Sequence, residues 1–171
     1  MANKSVRLCV GISSLCLLLS LSAWAGSVLY TNGPVNGNIR AWDIGSSLGF
    51  TVSDSFGLGS ASTIGSISFG DVVFPGETPL TITWSISSSK LGGGTVFASG
   101  TSSLTNTLVC LSGPGCSFDV YSSLFSTNVA LGAGTYWLNF SGSSTANGDV
   151  ELWDENDGVG CSGVGCPSTA Y

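Results

Sequence analysis

The residues "LTITWSIS" at 80–87 put Leu80, Ile82, Trp84 and Ile86 on one side of an extended chain and Thr81, Thr83, Ser85 and Ser87 on the other. A period of two marks a strand buried on one face, because successive side chains of an extended backbone point opposite ways. The alternation recurs at 50–58, where Phe50, Val52, Phe56 and Leu58 share a side that Asp54 interrupts. It recurs again at 135–141, where Tyr136, Leu138 and Phe140 oppose Trp137 and Asn139. No segment after Gly26 sustains a 3.6-residue period. Turn signals punctuate these runs, among them Asn36-Gly37, Phe74-Pro75-Gly76, Gly113-Pro114-Gly115 and Asn147-Gly148. Each supplies the fixed or positive φ that a tight reversal needs. The pattern predicts strands at 27–31, 37–44, 48–57, 62–74, 79–88, 95–100, 103–111, 117–121, 127–131, 135–142 and 149–154. Many short strands with polar turns imply an all-β, antiparallel β-sandwich of jelly-roll type.

The amino terminus stands apart from this fold. Lys4 and Arg7 precede an apolar run from Leu8 to Leu21, and Ala23-Trp24-Ala25 follows. That order is the one a secretory signal peptide uses, so residues 1–25 are expected to be a signal helix removed on export. The run is shorter than the roughly 20 residues a spanning helix needs, so membrane contact is expected only in transit. Residues 26–171 then form one β-sandwich domain, with no internal repeat or boundary. Only Arg40 and Lys90 remain in it, against ten carboxylates. Such a surface has no basic patch for phosphate, which argues against nucleic-acid and anionic-lipid partners.

Four cysteines remain after Cys9 and Cys16 leave with the signal. In an oxidising compartment the local pairing, Cys110–Cys116 and Cys161–Cys166, is the simplest of three connectivities. A zinc site is the rival reading, but the spacings are not the usual ones and the chain has no His. Without His, a Ser or Cys nucleophile lacks its usual base. A two-carboxylate glycosidase needs only acids, for which Glu77, Glu151, Asp154 and Glu155 are the candidates. Asp149 and Glu151 are expected on the outer side of their strand beside Trp153, with Val150 and Leu152 facing the core. Beyond them Asp154, Asn156 and Asp157 lead to Gly158, an oxygen-rich turn that offers calcium a site, against the plainer reading of a solvated acidic turn. Gly92-Gly93-Gly94 lacks the Lys and Ser/Thr of a phosphate loop and reads as a hairpin. Asn139-Phe140-Ser141 matches a glycosylation sequon but falls inside a strand. Trp42, Trp137 and Trp153 are candidate platforms for stacking on a sugar ring, unless the second sheet covers them.

The segments "LYTNGPVNGNIRAWDI", "FTVSDSF", "LGAGTYWLNF" and "WDENDGVGCSGVGCPSTAY" together resemble bacterial secreted proteins of the PEP-CTERM type. The resemblance covers most of residues 26–171, and its most telling piece is the ending. It implies export, a β-sandwich body, and retention at the cell envelope or in the extracellular space of organisms that make exopolysaccharide. It implies no catalytic residues. It also implies a further strand and a sorting tail beyond Tyr171, where the sequence departs from the pattern. The combined expectation is a non-catalytic, secreted or surface β-sandwich with a matrix role and polysaccharide as its partner. A carbohydrate-binding module is the alternative, and a glycan-active enzyme the third reading.

Overall fold

The alternating segments pair into two antiparallel sheets in the computed structural model, which describes residues 27–31, Val35 and 41–154. In chain order the strands are β1 (Ala41–Asp43), β2 (Thr51–Leu58), β3 (Ser62–Val73), β4 (Pro79–Ser87), β5 (Val96–Ser103), β6 (Thr105–Cys110), β7 (Asp119–Leu131), β8 (Gly134–Thr145) and β9 (Glu151–Asp154). The first sheet runs β1-β9-β3-β7-β6 and the second β2-β8-β4-β5. The chain therefore crosses repeatedly between layers, and all neighbours in both sheets are antiparallel. With β6 set aside as an added edge strand, this is the order of a jelly roll.

The expected inner faces are largely the observed ones. Ile82, Trp84 and Ile86 are buried, as are Val52, Leu58, Tyr136 and Phe140. Trp84 lies across from Gly100, where the missing side chain leaves room for the indole. Phe140, fully buried, packs against Phe69 and Trp153 with ring centroids at 4.5 Å in each case. Phe125 joins them, so aromatic rings from both sheets form the centre of the core.

Several expectations change. Residues 27–31 make no strand, and 119–121 and 127–131 belong to the one long strand β7. Leu80 is exposed, because the register of β4 against β8 shifts between Pro79 and Thr83. Phe50 lies before β2 and is exposed too. The largest correction concerns β9. Asp71 pairs with Trp153 and Val73 with Glu151, so all four side chains share the face that carries Phe69. Glu151 and Trp153 point into the sandwich, and Leu152 and Asp154 point outward. The expected signal helix, Glu155, Asn156, Asp157, Cys161 and Cys166 lie outside the described residues.

Candidate functional site

The outer face of the second sheet is built from the polar half of each alternating strand. Residues paired across an antiparallel sheet share a face. One row runs Ser53, Asn139, Ser85, Ser99; beside it runs Thr51, Ser141, Thr83, Thr101. On the other side of the Asn139 row stand Ser55, Trp137 and Ser87. None of these strand residues is charged. Neighbouring strands lie about 4.8 Å apart, so the hydroxyls repeat at that interval across the sheet. Thr83 and Thr101 hydroxyls lie 3.0 Å apart.

Asn139 organises this face. Its Oδ1 accepts hydrogen bonds from the Ser53 hydroxyl at 2.6 Å and from the Gly92 N–H at 2.9 Å. Its Nδ2 donates to Ser87 Oγ at 2.9 Å and Ser85 Oγ at 3.1 Å, with the Ser85 and Trp137 carbonyls at 3.2 Å. Ser53 Oγ in turn accepts from the Leu91 N–H at 2.7 Å. These bonds fold the loop at 88–94 back over the middle row and bury Ser53, Ser87 and Asn139. Leu91 sits in the left-handed region, at φ 56°, to make that return. The loop becomes a ridge, with half-buried Trp137 at one margin and the Thr51–Ser141–Thr83–Thr101 row at the other. Burial and saturation of its amide leave Asn139 closed to glycosylation, in line with its position in a strand.

The three tryptophans separate. Trp137 is on the outer face, opposite Tyr136, as the alternation implies. Trp153 is core, against Phe140 and Phe69. Trp42 pairs with Trp153 on the inner face of edge strand β1 and is 45% exposed. They do not form one platform.

Of the carboxylates offered for glycoside hydrolysis, Glu77 is engaged internally. Glu77 accepts from the Asn147 backbone N–H at 3.0 Å and from its side-chain amide at 2.6 Å. The Asn147 backbone bond is the main cause that lowers the Glu77 pKa. Asp119 accepts from the N–H groups of Ser112 at 2.7 Å and Gly76 at 2.8 Å, which lower its pKa in that order. It thereby ties the loop closed by the Cys110–Cys116 disulfide to the β3–β4 turn. A carboxyl whose folded pKa lies below its ordinary value stabilises the fold above the ordinary carboxylate range. That contribution is lost as pH falls through the folded pKa. The melting temperature is therefore expected to drop between about pH 5 and pH 3, and Asp119→Asn to flatten part of that drop while lowering stability at pH 7.

Glu151 is fully buried and Asp154 is 4% exposed. Nothing in the pattern groups Glu151 with Asp71, which is also fully buried and lies beside it across the β3–β9 ladder. Burial pushes Asp71 up to about 7, and burial followed by the Asp71 charge pushes Glu151 up to about 10. The one signal was an acid inside an apolar run, "SFGDVVF", which reads equally well as an outward residue. Among the described residues no three His, Cys, Asp or Glu side chains converge as a metal-binding set. No family model matches the chain, and neither a curated protein nor a solved structure does.

Proposed function

We propose that this is a non-catalytic, exported β-sandwich protein that associates with extracellular polysaccharide as part of a matrix or cell surface. The observation that carries the reading is the outer face of the second sheet, a set of uncharged hydroxyl rows with an aromatic ring at its margin. Neutral sugar hydroxyls exchange hydrogen bonds readily with such rows, and the indole of Trp137 offers a face to a pyranose ring. An acidic protein surface suits neutral glycan better than polyanions. The Cys110–Cys116 disulfide is compatible with an oxidising, extracellular location. The resemblance to PEP-CTERM-type secreted proteins supports the same setting.

The test is retention on insoluble polysaccharides, compared between wild type and two variants. Trp137→Ala is expected to weaken retention about three- to tenfold. Thr83→Val with Thr101→Val removes hydroxyls at constant shape and is expected to weaken it as well. Wild-type protein that is retained by no polysaccharide in a broad panel, or variants that bind as well as wild type, sink the reading. A dedicated carbohydrate-binding module is the second reading, favoured by Trp137 alone. It requires saturable one-to-one binding of a soluble oligosaccharide that quenches tryptophan fluorescence.

A further inference from the structure

Five side-chain oxygens cluster at one end of the sandwich interior with no hydrogen bond to any of them: both of Asp71, both of Glu151 and the hydroxyl of Ser143. All three residues are at least 98% buried. They come from three strands and from both sheets: β3, β9 and β8. Asp71 and Glu151 lie on one face as diagonal neighbours of the β3–β9 ladder, a separation that carboxylate side chains span. The Ser143 hydroxyl stands beside the Glu151 carboxyl. Ser123 is next to Asp71, and its hydroxyl donates to Asn106 Oδ1 at 2.9 Å. The only basic side chain among the described residues is Lys90, in the loop over the outer face of the second sheet. Two carboxyl groups in an apolar interior need a compensating positive charge or a proton.

We infer that Asp71, Glu151 and Ser143 bind a hard, oxygen-preferring divalent cation of calcium type between the two sheets. Calcium accepts six to eight oxygens in a flexible shell, carboxylates in one- or two-oxygen mode, and hydroxyls and waters among the rest. The set supplies five, and water completes the shell. The crossover from β1 to β2 closes over the same place. The Ile44 N–H donates to the Glu151 carbonyl at 3.0 Å, and the Ser143 N–H donates to the Ile44 carbonyl at 2.9 Å. A cation here joins β3 and β9 of the first sheet to β8 of the second, so its role is to hold the layers together. The Asp154 charge also acts on Asp71. Asp154 is on the opposite face of β9 from Glu151.

The experiment uses the exported chain, stripped with a chelator at neutral pH. Calcium is expected to raise the melting temperature, and terbium to emit on tryptophan excitation, since Trp153 is two residues from Glu151. Excess calcium is expected to quench that emission by displacement. Glu151→Gln and Asp71→Asn are expected to abolish both responses. Should these variants not fold, the terbium emission of the wild type and its displacement by calcium decide alone. A melting temperature indifferent to chelator and calcium, with no terbium emission, overturns the inference and leaves a pair held by a shared proton. Calcium responses unchanged in folded Glu151→Gln and Asp71→Asn also overturn it and place the ion elsewhere.

Discussion

Asn139→Ala is expected to destabilise the protein by about 3–5 kcal/mol, far more than a typical polar-to-alanine change. The amide is 2% exposed and is the common partner of β2, β4 and the 88–94 loop. Its removal strands the Gly92 N–H and the Ser53 hydroxyl without their acceptor, each costing about 1–3 kcal/mol when buried. Part of that loss is recovered if the loop lifts and water enters. The variant is therefore expected to show a second symptom, rapid proteolytic nicking between Ser88 and Gly94, which a purely global loss of stability would spread over many sites. Asn139→Asp keeps the shape but loses the donors to Ser85 and Ser87 and buries a charge, so it is expected to be no milder. Equilibrium denaturation gives the magnitude. A loss under 1 kcal/mol with an intact loop contradicts the hub assigned to Asn139.

Phe140→Ala is expected to cost about 3–5 kcal/mol by opening a cavity at the centre of the core. The ring is fully buried and lies within 4.5–6.1 Å, centroid to centroid, of Phe69, Trp153 and Phe125. These neighbours come from three strands of the facing sheet, so none collapses into the hole without dragging a backbone. The loss is a large part of the roughly 5–15 kcal/mol that holds a domain of this size. Tryptophan fluorescence gives a second readout, since Trp153 loses the ring packed against it. Asn139 and Phe140 are successive residues on opposite faces of β8. That strand holds the polar ridge outside and the aromatic core inside.

The two faces of β4 and β8 were legible because residues 81–86 and 136–141 alternate; the exceptions lie where the register shifts, as at Leu80. Other elements were not. In "YSSLFSTNV" polar and apolar residues fall on both faces, with buried Ser123 inward and exposed Leu124 outward. A bulge between Ile64 and Ser66 also shifts the pairing of β3 with β7. Local pattern therefore split β7 in two. In "VELWD" one face carries Val150 and Leu152 and the other Trp153, so the pattern cannot choose, and the ordinary preference for exposed carboxylates chose wrongly. Glu151 is inward because Trp153 fills the core and a period of two carries Glu151 with it. The hydroxyl rows were readable as a polar face. The role of Asn139 was not, because it depends on a loop from 47 residues earlier in the chain.

The most direct measurement of the central claim is a map of backbone amide and indole chemical shifts as a neutral oligosaccharide from a retained polysaccharide is added. Shifts are expected at Thr51, Thr83, Thr101 and Ser141 and at the Trp137 indole, with the outer face of the first sheet, around Ser68 and Ser122, unchanged. Shifts confined to the first sheet, or an unperturbed Trp137 at saturating sugar, would contradict the assignment of the binding face.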